Sequence, residues 1–322
     1  MSRKVSNTRN KDKKQSKFVL RHSPKLVVGG LSLAVLTAGF AGSGTAFAQA
    51  SKHKAVKVYS ATSTSSSTST TVTAQSLKWI VAYSAILQMD SVNGATVAQS
   101  AFDSPNTSII VAGNPPSAEA TWTSKFILDT KSASSLSTMM TATGWNTTTG
   151  VLYDPEHWSY TPLVEQLNVP GYVSSMSTTL FGTGHNLIVT PALDLMATLA
   201  PGQPYTQSFI SLNIDGLAAK SADAIDIQAQ SLETNTTTYA NFVTNVANEI
   251  KAANPNAVIY AGLSTNPSGS SVTAWQLYKD VLATSGAVSG YWMNIPGQGS
   301  LCPTCGTPQP KVAVHLLSML GA

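Results

Sequence analysis

Short apolar, β-branched runs recur along the chain from residue 79 onward, and each is followed by a stretch suited to a helix. The runs are Trp79–Ser84, Ser108–Ala112, Lys125–Asp129, Gly150–Asp154, Asn186–Pro191, Ala224–Gln230, Ala257–Leu263 and Ser289–Asn294. They show little polar alternation at their starts, as strands covered on both faces of a parallel sheet require. Between them, Tyr239–Lys251 places Tyr239, Phe242, Val243, Val246 and Ile250 on one helical face, and Asn254-Pro255 ends the helix. Val272–Ala283 gathers Trp275, Tyr278, Val281 and Leu282 on one side, with Ser271 placed to cap it. Lys311–Leu320 opens behind Pro310, where a missing N–H costs nothing. Eight such units predict an α/β fold, a (β/α)8 barrel of the TIM class in a single domain. A doubly wound open sheet is the competing arrangement. The first three units fit the rhythm least well, because the link between the second and third strands is short. No segment repeats at a fixed period, which excludes a solenoid or propeller.

The N-terminal part reads differently. Nine of the 19 Lys and Arg fall in the first 25 residues, against one acid, Asp12. The apolar run Leu26–Ala41 and then Ala46-Phe47-Ala48 follow. This order predicts a secretory signal peptide over 1–48, cut after Ala48, and hence a secreted, extracellular protein. An uncleaved anchor is the alternative; no later run reaches the length of a membrane span. Residues 49–74 are a Ser/Thr-rich spacer, and the barrel domain is expected over 75–322.

Removing the leader changes the charge. Ten basic and fourteen acidic residues remain, a net charge near −4, and no arginine is left. Nothing then neutralises a row of phosphates, which argues against nucleic acid as a partner. So sparse a set of carboxylates also leaves few groups whose protonation unfolds the protein in acid, as adaptation to an acidic exterior would require. Compositional drift in a secreted protein explains the same counts.

In a barrel, chemistry belongs at the carboxyl ends of the strands. Gly150-Val-Leu-Tyr-Asp-Pro-Glu-His-Trp158 places Asp154 and Glu156 on one side just past the fourth strand. In Ala224–Gln230, Asp226, Gln228 and Gln230 share one face and Ile225 and Ile227 the other. Polar groups on a buried strand need partners or a wet cavity, which a barrel mouth supplies. The seventh strand leads to Asn266, and the eighth adds Trp292 and Asn294. Carboxylates for proton transfer, amides for hydroxyl groups, and the faces of Trp158 and Trp292 for sugar rings suit a polysaccharide or oligosaccharide. Glu156 is the expected general acid, its proton held by the nearby Asp154, with Asp226 as a second carboxylate. Trp158, Gln228, Gln230, Asn266, Trp292 and Asn294 are the expected substrate contacts.

The segment Gly150-Val-Leu-Tyr-Asp-Pro-Glu-His resembles the fourth-strand signature DG-x-D-x-D-x-E of the family 18 chitinase-like glycosidases. The resemblance implies that Glu156 is the acid and that Asp154 orients a substrate acetamido group. Thr149 and Leu152 stand where that family has earlier aspartates. The resemblance spans about eight residues. More broadly the chain resembles secreted bacterial barrel proteins of unassigned activity. The seventh run carries no carboxylate, which opposes an ordinary two-carboxylate mechanism. A non-catalytic cell-surface or carbohydrate-binding barrel, associated with a cell wall, is the alternative, and a peptidase or other hydrolase ranks third.

The remaining candidates are structural. Cys302 and Cys305 sit in a Gly- and Pro-rich loop and are expected to form a local disulfide rather than a redox or zinc site. His157 is expected to bond to backbone in its loop, with a reach into the site as the alternative, and His185 lies at the opposite end of the barrel. His53 and His315 lie in the spacer and the last helix. No two histidines share metal-ligand spacing, so no transition metal and no cofactor is expected, while calcium stays open. Glycine-rich phosphate loops and a Gly-x-Ser-x-Gly elbow are absent.

Overall fold

The computed structural model describes residues 72–267, 272–299 and 302–322. The proposed leader, nearly all of the spacer, and the predicted cap Ser271 lie outside these residues. Eight strands follow in chain order: β1 (Lys78–Ala82), β2 (Thr107–Val111), β3 (Lys125–Thr130), β4 (Gly150–Tyr153), β5 (Asn186–Val189), β6 (Ala224–Ile227), β7 (Val258–Ser264) and β8 (Gly290–Asn294). All neighbours are parallel, and β8 pairs with β1 through Trp79↔Tyr291 and Ile80↔Trp292. That pairing closes the ring and rules out the open sheet. Closure needs a close approach at Gly290, where a Cβ would overlap the Lys78 carbonyl oxygen.

The period of two sorts the strand side chains. Ile80, Ile127, Leu152, Ile188, Ala224, Tyr260 and Trp292 fill the barrel interior as one cluster. Their neighbours Val81, Leu128, Val151, Leu187, Ile225, Ile259 and Tyr291 face outward into the larger core beneath the helices. Both faces of most strands are therefore largely apolar, which is why the runs show little alternation.

The helices follow local signals. Thr236–Ala253 begins where the Asn235 side chain accepts from the Thr238 N–H at 3.0 Å, and it buries Tyr239, Phe242, Val243, Val246 and Ile250. Ala274–Thr284 is capped by Thr273, whose hydroxyl accepts from the Gln276 N–H at 3.1 Å. Its buried face is Leu277, Val281 and Thr284, whereas Trp275 and Leu282 are exposed. The expected apolar side is thus split, and Trp275 stacks outside on Tyr278. Pro310–Met319 ends the chain. The irregular unit is the one flagged by its short link: residues 112–124 hold a single three-residue 3-10 turn, Glu119–Thr121, in place of a helix. No helix among the described residues is long and apolar enough to cross a membrane.

Candidate functional site at the barrel mouth

Past β4 the backbone is fastened at several points. The Asp154 N–H donates to the Thr130 carbonyl at 2.9 Å, and the Pro155 carbonyl accepts from Ala192 at 3.0 Å. Thr161 is the clamp: its hydroxyl donates to the Lys131 carbonyl at 2.7 Å and accepts from the Glu156 N–H at 3.2 Å and the Trp158 indole at 2.9 Å. These bonds hold Asp154, Glu156 and Trp158 over a cavity of about 980 Å³ at the carboxyl ends of the strands.

Asp154, Glu156, Trp158, Gln228, Gln230, Trp292 and Asn294 all line this cavity, as does the disulfide-bonded pair Cys302 and Cys305. Sequence separation therefore hid a real convergence. Gln230 lies across Gly262, in the space a side chain there would fill. Trp292 forms part of the floor, and its indole N–H finds no acceptor in the protein.

Two predicted residues do not join them. Asp226 is fully buried inside the barrel, paired in register with Tyr260. It lies one layer below Gln228, whose amide spans Asp154 Oδ1 at 2.7 Å and the Thr190 carbonyl at 3.0 Å. Asp226 receives only the Thr190 hydroxyl, at 3.2 Å, and its other oxygen has no partner. Burial, more than the opposing pull of that hydroxyl, pushes its carboxyl up to about 8. Asn266 is also buried, and its amide donates to the Cys305 and Thr307 carbonyls. It ties down the wall loop and does not face the cavity. The same strand period that groups 226, 228 and 230 also puts them at different depths, and only the upper two reach the mouth.

Three charged lining residues are additions. Asp129 is the last residue but one of β3, Lys131 directly follows the strand, and Asp194 lies beyond β5. Lys131 Nζ stands 2.6 Å from Asp129 Oδ2 and 2.6 Å from Asp154 Oδ2, and 5.6 Å from the centre of the Trp158 ring. Its signal was present in the sequence: 129 and 131 are spaced at a strand end just as 154 and 156 are.

The electrostatics separate the carboxyl groups. Glu156 is pushed up to about 9, first by burial, then by the negative charges of Asp154 and Asp194, against the opposing pull of Lys131 and Gln228. Asp129 is raised to about 6, chiefly by burial, with Lys131 pulling the other way. At neutral pH Glu156 therefore keeps its proton while Asp154 sits in an ion pair. Burial works against the charge of Lys131, but its two carboxylates together outweigh it and hold the cation, which leaves no free amine for nucleophilic attack.

The histidines stand apart from the cavity. His157 Nδ1 lies 2.8 Å from the Thr198 hydroxyl, beyond β5, and 3.2 Å from Gln166 Oε1, so its ring bonds to side chains and not to the backbone of its loop. His185 stacks on Trp145 at 3.7 Å near the amino end of β5. Among the described residues no three His, Cys, Asp or Glu side chains are grouped as a metal ion would need.

No protein-family model matches the chain, and no curated protein matches it. Among solved structures it is similar to a glycoside hydrolase family 17 β-1,3-glucanosyltransferase from Rhizomucor miehei, at 11% identity and a TM-score of 0.42, over 74% of this chain and 97% of that one. A chitinase from Chromobacterium violaceum is similar at 11% identity and 0.44, over 76% and 99%. The DHDPS of Cyanidioschyzon merolae follows at 14% and 0.34, over 67% and 69%. These likenesses concern the course of strands and helices; the chemistry of this mouth rests on its own side chains.

Proposed function

We propose that the protein is a secreted, glycoside-hydrolase-like barrel that takes an extracellular polysaccharide or oligosaccharide into its mouth, with Glu156 as the general acid. The feature that carries the reading is a glutamate whose carboxyl is pushed up to about 9 by burial and by neighbouring acids, beside an ion-paired aspartate in an open cavity. Glu156 gives its proton to the glycosidic oxygen as the C1–O bond breaks. Its carboxylate then removes a proton from the water that adds to C1, restoring the acid.

Asp226 supplies no nucleophile, because it is sealed below Gln228. The electron pair for C1 then comes from water or, as the chitinase-like resemblance implies, from the substrate's own acetamido oxygen. In that case Asp154 would accept the acetamido N–H. Lys131 and Gln228 already occupy one lone pair on each of its oxygens, and a carboxylate has lone pairs to spare. Trp158 and Trp292 offer aromatic surface, and Gln228, Gln230 and Asn294 offer amides to hydroxyl groups.

A second reading is a non-catalytic carbohydrate-binding barrel, associated with a cell surface or wall. The specific support for it is that Asp129 and Asp154 are ion-paired, Asp226 is buried, and Asp194 is engaged by the His157 N–H at 2.9 Å. Glu156→Gln assayed on a panel of glycans separates the two. Lost turnover with retained binding supports the acid role; binding without turnover in both forms supports the module.

A further inference from the structure

Among the described residues the only cation lining the mouth is Lys131, and it is used from both sides. Asp129 draws its ammonium group toward β3 and Asp154 draws it toward β4, each at 2.6 Å. The Trp158 ring covers it at 5.6 Å. Gln228 grips the other oxygen of Asp154 at 2.7 Å. Asp154 is thus fixed by two donors, whereas Glu156, two residues on, has no ion-pair partner. We infer that Lys131 is a positioning residue that holds Asp154 as an anion against β3, so that the mobile proton of the mouth resides on Glu156 alone.

Two close carboxyl groups without such a cation share a proton, and neither is then a dedicated donor. The groups facing Glu156 come from four places: Lys131 beyond β3, Asp154 on its own segment, Asp194 beyond β5 and Gln228 beyond β6. Asp129 and the buried Asp226 add their charges to the set at one remove. Of all these only Lys131 is positive, so no other group replaces it. The aspartate that the chitinase-like signature would place inside β4 is Leu152 here, and Leu152 packs in the apolar interior cluster. The partner for Asp154 has instead been recruited from the neighbouring strand.

The inference rests on Glu156 being the proton carrier of the mouth, yet its test reads titration, not turnover. Carbon-13 carboxyl NMR follows Glu156 in the folded full chain, with Glu156→Gln for assignment, in the native protein, Lys131→Met and Lys131→Arg. The native protein should show one Glu156 step at alkaline pH. In Lys131→Met that step should move about one pH unit or more further up, with the Asp154 resonance now moving in concert, and Lys131→Arg should restore the single step. A Glu156 step that stays in place without the charge, or that arginine fails to restore, overturns the inference. If the methionine variant does not fold, Lys131→Gln keeps a hydrogen-bond donor and removes the charge, and the same shift decides. A Glu156→Gln protein that still turned glycans over would remove the proposed function and leave this result standing.

Discussion

Replacing Asp226 by asparagine isolates one buried electrostatic liability of the barrel. The carboxyl is fully buried, has one hydroxyl partner at 3.2 Å, and titrates at about 8 in the folded chain. The ionisable groups that feel its charge are Asp154 at the mouth, Tyr260 on β7 and Asp215 on the helix behind β6, none of them positive. In the unfolded chain an aspartate titrates near ~3.9. Between those values the unfolded state releases the proton and the folded state keeps it, so stability falls as pH rises. It is fully present below about pH 4 and is lost on the way to pH 8. Four units at about 1.4 kcal/mol each amount to about 6 kcal/mol from this one group. Glu233, raised to about 8 by burial, adds a loss of similar sign, and Asp280, raised to about 6, a smaller one. Losses on that scale rival the whole stability of an ordinary domain, ~5–15 kcal/mol. Asparagine has nearly the same shape and no charge. Urea unfolding at pH 4, 6 and 8 should find Asp226→Asn within about 1 kcal/mol of the native protein at pH 4 and several kcal/mol more stable at pH 8. Native stability that stays level or rises between pH 4 and 8, or two parallel curves, would refute the reasoning.

Gly290→Ala should cost about 3 kcal/mol, because a Cβ there meets the Lys78 carbonyl where β8 and β1 close the ring; a native melting temperature would show that the seam yields freely. Asn266→Ala removes the donor that satisfies the Cys305 and Thr307 carbonyls. It should cost about 1–3 kcal/mol and speed protease cleavage within 295–310, and unchanged cleavage would show that the wall loop is held elsewhere. Replacing both Cys302 and Cys305 by serine opens only a small covalent loop, so a loss of about 2 kcal/mol or less is expected. A larger loss in thermal unfolding would mean that the bond holds more than its own turn.

Much of the barrel was legible in the sequence because its strands are apolar on both faces and its longest helix carries a clear stripe. Tyr239 to Ile250 is buried as that stripe requires. Ala274–Thr284 misled because Trp275 and Leu282 look like core residues by type, and nothing local shows that no neighbour covers them. At the site, the strand-end rule placed Asp154, Glu156, Gln228 and Asn294 correctly at the mouth. It overreached at Asp226 because parity gives the face of a strand and says nothing of depth within a ring. Asn266 was misplaced for a different reason: its partners, Cys305 and Thr307, lie about forty residues away and bring their loop to it. Lys131 could have been read from its spacing to Asp129, but its pairing with Asp154 needs the β3–β4 register.

The placement of charge bears on the choice between enzyme and binding module. Among the described residues both ion pairs belong to Lys131, and both lie in the mouth. Elsewhere the fold leaves its buried acids without cations: Asp215 has no partner for either oxygen, and Asp226 and Glu233 each keep one oxygen unpaired. Such groups are tolerated by staying protonated, at a cost that grows with pH. A cation buried against Asp226 would have been the ordinary remedy, and the chain has lysines to spare on its surface. It places one instead beside Asp154, where neutralising a carboxylate does little for the apolar core but leaves Glu156 as the protonated member of the pair. A surface that only gripped sugars would gain nothing from that distinction, since hydroxyl groups bond to charged and neutral carboxyls alike. The asymmetry has a use where a proton must be handed over, and on that ground the acid reading of Glu156 is preferred to the module.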